Sequence, residues 1–86
     1  MRPLNYAILK YYTGVEKASV NEILEDLKHD YKGHRAFKRK SIIEALMTAE
    51  SNGLIEEAGA DFVNDELTIY YRANQEQKET INNYIK

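Results

Sequence analysis

The chain predicts an α+β domain, with three helices forming a core, a two-stranded hairpin, and an additional C-terminal helix. Three observations predict it. Apolar residues recur at helical spacing in four separate stretches. β-Branched and aromatic residues alternate in one stretch, Leu67–Arg72. Turn-forming residues fall between these stretches rather than inside them. The 86 residues, 43% hydrophobic and 30% charged, suit a single globular domain spanning 1–86, and are too few for two.

The first helix is expected over residues 3–13, where Pro3 suits an opening position and Leu4, Ala7, Ile8, Tyr11 and Val15 follow helical spacing. Gly14 is the expected stop, and Tyr6 and Tyr12 fall off the main stripe. Ser19 opens a second helix over 20–30. Glu22 stands three residues after it, so each can satisfy an orphan backbone N–H of the other. Val20, Ile23, Leu24 and Leu27 form its apolar stripe, with Gly33 near its end.

The third helix starts after the basic joint YKGHRAF, at a position that no Ser, Thr, Asp or Asn marks near Arg35. Ile42, Leu46 and Ala49 line one side, with Ile43 and Met47 widening it, while Ser41, Glu44, Ala45 and Thr48 lie opposite. Gly53 is the expected left-handed residue after its end. Leu54–Ala58 reads as a strand, with Gly59-Ala60-Asp61 and Asn64-Asp65 as turn material and Phe62 and Val63 near the hairpin tip. Leu67, Ile69 and Tyr71 should share one face of the second strand. Asn74 can cap a last helix over 75–85, anchored by Ile81, Tyr84 and Ile85.

Composition excludes several function classes. There is no cysteine, hence no disulfide framework and no thiolate metal site. The opening MRPLNYAILK lacks the apolar core of a signal peptide, and no run approaches the ~18 apolar residues of a membrane span. A cytoplasmic protein is therefore expected.

Charge is more informative. Net charge is −2, yet Lys28, Lys32, Arg35, Lys38, Arg39 and Lys40 lie in one short segment against Asp30 alone. The protein is acidic with one basic segment, and the placement of positive charge decides polyanion binding. Arg35, Lys38, Arg39 and Lys40 crowd the start of a helix, where cations are unfavourable by about 0.3–1 kcal/mol each at low salt. A phosphate backbone across this end would turn that repulsion into attraction.

The succession helix, helix, helix, hairpin, helix, with Ile42, Leu46 and Ala49 leading into Asn52-Gly53-Leu54-Ile55, resembles winged helix-turn-helix domains from Leu4 to Arg72. Small bacterial regulators of the MarR and PadR kind are similar in organisation. The resemblance implies a winged-helix fold and a double-stranded DNA partner. It implies that the third helix enters the major groove and the hairpin wing touches flanking DNA. Lys32, Arg35, Lys38, Arg39 and Lys40 are then the candidate phosphate contacts, and Ser41 and Thr48 the candidate groove contacts.

Two departures refine this. Glu44 and Ile43 occupy the exposed stretch of the third helix, and the wing holds Glu56, Glu57, Asp61, Asp65 and Glu66 against Arg72. A wing of that sign is repelled by a duplex within about 8–10 Å. Contact is therefore expected at residues 32–41, in a transcriptional regulator or accessory factor. The alternative is a winged-helix protein–protein module that binds no DNA directly, with a protein partner at the acidic wing.

His29 and His34 do not make a metal-ligand pattern, no cofactor fingerprint is present, and no nucleophile elbow or paired acid and base suggests an enzyme. Of the seven tyrosines, Tyr11 is expected in the core, while Tyr6, Tyr12, Tyr70, Tyr71 and Tyr84 cannot all be. Either a homodimer through the first helix, the last helix or both covers the surplus, or a monomer buries these rings internally.

Overall fold

The computed structural model describes residues 2–86 as an α+β arrangement of α1 (Leu4–Tyr12), α2 (Val20–Asp26), α3 (Lys28–Tyr31), α4 (Arg39–Ser51), β1 (Glu56–Val63), β2 (Glu66–Arg72) and α5 (Gln75–Tyr84). Pro3 sits one position earlier than expected, as the N-cap of α1, with its carbonyl accepting the Ala7 N–H at 3.0 Å. The buried stripe is Leu4, Ile8 and Tyr12. This corrects the expectation that Tyr11 is the core tyrosine. Tyr12 is 0% exposed and its hydroxyl donates to the Ala18 carbonyl at 2.9 Å. Tyr11 is half-buried and donates to Asp26 Oδ2 of α2 at 2.6 Å. Tyr12 stands four residues after Ile8 and eight after Leu4, so it continues the buried stripe that the sequence reading drew through Tyr11 instead. The stop is Thr13 rather than Gly14, with the Thr13 hydroxyl donating to Lys10 O at 2.6 Å.

The Ser19 start signal forms as expected. Asn21 N–H donates to Ser19 Oγ at 3.2 Å, and Ser19 N–H donates to Glu22 Oε2 at 3.3 Å. The second helix is not continuous over 20–30. It breaks at Leu27, whose φ of −98° and ψ of −1° make it the C-cap of α2 and the N-cap of α3. Asp30 and Tyr31 both direct their N–H groups to Leu27 O, at 3.2 and 3.1 Å, and a short α3 follows. The break turns Tyr31 into the core, with its hydroxyl donating to the Arg2 carbonyl.

α4 starts at Arg39, just after the basic joint, with Lys38 as its N-cap, and buries Ile42, Leu46 and Ala49 as the pattern required. Gly53 has φ +77°. Leu54 N–H reaches Ala49 O at 3.0 Å and Gly53 N–H reaches Glu50 O at 2.9 Å, which closes the helix in a Schellman turn. Ile55, 1% exposed, is thereby driven into the core instead of opening a strand.

The hairpin is longer than the sequence pattern implied. β1 pairs antiparallel with β2 from Glu56↔Arg72 to Val63↔Glu66. The two-residue turn is Asn64-Asp65, both with positive φ (54° and 66°), the type I′ geometry that matches strand twist. Gly59 does not turn the chain. It follows a bulge at Ala58, with φ +128°, a region open to glycine.

One residue joins the helical half to the hairpin. Ala18 and Tyr71 exchange both backbone hydrogen bonds at 2.9 Å, so the α1–α2 connector adds a single-residue bridge beside β2. At the base of the hairpin, Glu56 accepts from Arg72 Nη1 at 3.2 Å and from Asn74 Nδ2 at 3.0 Å. Asn74 and Gln77 cap α5 reciprocally at 2.8 Å, and Gln77 Nε2 donates to Gly53 O at 3.0 Å. Ile81 and Ile85 anchor α5 in the core, whereas Tyr84 is exposed, contrary to its expected role as an anchor.

Two measurements test this account. Ser19→Ala should lower unfolding stability by about 1 kcal/mol in urea titrations, because it strips the N-cap of α2 and orphans its partners. Burial, with Tyr11 and Glu22 nearby, pushes the Tyr12 hydroxyl above the ordinary phenol value of 10.0; burial raises Tyr11 and Tyr71 as well. Stability from these groups is complete below pH 10 and falls above it, because the unfolded chain sheds protons that the folded chain keeps. The slope should reach at most about 1.4 kcal/mol per pH unit per tyrosine. Tyr12→Phe should lose its share of that slope, and equal slopes for the two proteins would contradict the assignment.

Candidate nucleic-acid interface

The turn between α3 and α4 is built on an aromatic underlayer. Buried Tyr31 and half-buried Phe37 lie with ring centroids 6.4 Å apart at 31°, and His34 meets the Tyr31 ring edge-on at 6.0 Å. The backbone is closed by His34 N–H to Tyr31 O at 2.8 Å and Phe37 N–H to His34 O at 3.0 Å. Ala36 N–H donates to His34 Nδ1 at 3.2 Å, which employs that ring nitrogen locally. With the rings turned inward, Lys32, Arg35 and Lys38 are all exposed.

Lys38 is the N-cap of α4, with an extended backbone (φ −148°, ψ 155°) and no side-chain cap. Arg39 and Lys40 follow as the first helical residues, and the first turn contains no acid. The N–H groups of Arg39, Lys40 and Ser41 are given no acceptor among the described residues. This end therefore presents three cations, three backbone donors and the positive end of the helix dipole together. Arg39 is partly committed: its Nη1 donates to Asn21 Oδ1 of α2 at 2.7 Å.

Of the seven candidate residues, Lys32, Arg35, Lys38, Arg39, Lys40 and Ser41 fall on this turn and helix end, with Ser41 half-buried. Thr48 does not join them. It lies seven residues along the helix from Ser41, about 10 Å of rise. There it lines a cleft of about 400 Å³ with residues of α1 and α5, including Leu9 and Tyr84. Within that cleft, Tyr6 and Tyr84 meet edge-on at 6.1 Å in the same chain. His29 and His34 are exposed, and no group of three or more His, Cys, Asp or Glu is placed to hold a metal among the described residues.

The other flank of α4 carries a feature that sequence reasoning missed. Ile43 (38% exposed) and Met47 (56%) face Leu67 (59%), Ile69 and Tyr71 of β2 across an open groove of about 390 Å³. Phe62, 74% exposed, pairs directly with Leu67 and so shares its face. Val20 and Leu46 form the floor, and Arg39 and Glu66 stand at the margin. Only the hairpin register reveals this apolar band, because it puts Phe62 on the face of Leu67. The turn at Asn64-Asp65 was the available signal.

Comparison with protein-family models, with curated proteins and with solved structures finds no match. No helix among the described residues is long and apolar enough to cross a membrane.

Lys38 separates stability from ligand chemistry. Lys38→Asp supplies the missing cap and should raise unfolding stability by about 0.5–2 kcal/mol in urea titrations. The same change removes a cation from that helix end. No gain in stability would mean that the end of α4 is not strained by its charge.

Proposed function

We propose that the chain is a winged-helix DNA-binding protein, a transcriptional regulator or accessory factor. In this reading it grips duplex phosphate through the turn before α4 and the first turn of that helix. The observation that carries the reading is the uncapped, acid-free start of α4, with Lys38, Arg39 and Lys40 beside exposed Lys32 and Arg35. Folding alone favours an acid or a capping side chain there, so the arrangement makes physical sense when an anion supplies the missing acceptor. The layout supports it as well: a hairpin follows α4 directly, and Ala18 bridges to its second strand.

The geometry narrows the mode of contact. The outer face of α4 carries Lys40, Glu44, Met47 and Ser51, a set with few base-reading groups. The hairpin is acidic and stays off the duplex. Binding is therefore centred on phosphates at residues 32–41 and reads sequence weakly. Thr48, turned toward α1 and α5, takes no part.

Affinity for a random duplex should fall steeply with salt, with a log–log slope of about −2.7 to −4.5 for three to five neutralised phosphates. Lys38→Glu with Arg39→Glu should abolish binding while the unfolding transition is kept. Binding of that variant at wild-type affinity, or no duplex binding by the wild type at low salt, removes the reading.

A further inference from the structure

We infer that the groove between α4 and the hairpin is a docking site for a basic amphipathic segment of a partner protein. The groove offers apolar anchorage: Ile43 and Met47 on the helix wall, and Leu67 and Phe62 on the hairpin wall, all substantially exposed. Exposed apolar side chains on one continuous surface mark an interaction site, whereas scattered ones do not. Val63 is the one large exposed hydrophobic of the hairpin that points to the other face, paired with Glu66.

Charge selects the occupant. Glu57 pairs directly with Tyr71 and shares the groove face, and Glu50 of α4 lies close enough to act on the Tyr71 hydroxyl. Glu66 borders the groove at its other end with its side chain on the face of its partner Val63, and with Asp65 of the turn it adds negative charge to that end of the hairpin. Arg39 is the one cation lining the groove, and Asn21 already accepts from it. Among the described residues the hairpin's single ion pair is Arg72–Glu56, which leaves the other hairpin acids without a cation. A nucleic acid is repelled from such a rim. A second copy bringing the same hairpin would place acids against acids, so a two-fold pairing here is opposed too.

What fits is a segment with apolar residues at i, i+3 or i+4, and i+7, flanked by Lys or Arg. It would lie as a helix along the groove. Its apolar side chains fill the band and its cations meet Glu50 and Glu57. This inference does not rest on the nucleic-acid reading: the groove lies on the flank of α4 and the phosphate contacts at its end, and the two share only Arg39.

Selection of a displayed library of random peptides, about sixteen residues or four helical turns long, against the whole chain tests this. Enriched peptides should carry apolar anchors at helical spacing with basic flanks. A synthetic version should lose about tenfold or more in affinity for Met47→Ser with Leu67→Ser, two exposed positions whose truncation removes anchors. It should also bind the Glu50→Gln, Glu57→Gln double variant more weakly and with less salt dependence. Duplex affinity of the Met47, Leu67 variant should equal that of the wild type, so failure here is distinguishable from failure of the DNA reading. Four results overturn the inference: no enrichment above an unrelated bait, enrichment of acidic peptides, equal binding to the serine variant, or loss of duplex binding by that variant. A wild-type dimer in sedimentation that the serine variant dissolves would instead assign the groove to a second copy.

Discussion

Ala18 receives bonds from both halves of the molecule. Its carbonyl accepts from the Tyr12 hydroxyl and from Tyr71 N–H, and its own N–H donates to Tyr71 O, all at 2.9 Å. α1, the start of α2 and β2 are thereby fixed against one another at a residue that is itself 1% exposed. Buried backbone groups must be paired, and here a single extended residue meets that demand for three elements. The next residue, Ser19, immediately caps α2, so the chain leaves the bridge with no freedom to re-aim that helix. The placement of α4 follows, since it packs on the stripe that α2 presents, and the hairpin continues from its end.

Local chemistry made much of this legible in the sequence. Ser19 with Glu22, Asn74, Gly53, and the row Ile42, Leu46, Ala49 each act within a few residues of themselves, and each behaves as its side chain dictates. What was not legible depended on distant partners. Leu27 carries no breaker signature; the helix interrupts there while Tyr31 turns into the core. Spacing puts Tyr11 on the stripe of α1 and Tyr12 off it; the order is reversed because Ala18 offers the Tyr12 hydroxyl a buried acceptor while Asp26 takes the Tyr11 hydroxyl at the surface. Gly59 looked like a turn because glycine suits both turns and bulges, and only strand pairing tells them apart. For the candidate site, the basic cluster is a property of consecutive residues and was readable. The separation of Thr48 from it, and the apolar groove, required the α1–α5 packing and the hairpin register.

α4 emerges as a divided element. Its inner face is core, its first turn carries unsatisfied donors and cations, and one flank carries apolar side chains facing the hairpin. These regions answer to different physics. In the proposed reading the first turn would act through long-range, salt-sensitive attraction, and the flank through short-range removal of apolar surface from water. The acidic hairpin would serve the second and oppose the first, with Arg39 the one residue common to both surfaces.

The bulge at Ala58 and Gly59 divides the hairpin mechanically. Below it, Glu56 and Tyr71 are tied to Asn74, Arg72 and Ala18. Above it, Thr68 is buried and Ile69 is half-buried against the core, opposite Asp61 and Ala60, so the ribbon stays anchored almost to its tip. From Phe62 to Leu67 every residue is exposed, and the ribbon there is supported chiefly by its own cross-strand bonds. A two-stranded ribbon alone is only marginally stable in water. The tip can therefore open at an energy well below that of unfolding the helical core. The hairpin is a wall with a loose upper edge: Thr68 and Ile69 hold its lower part in place, and only the rim that carries Phe62 and Leu67 is left to adjust.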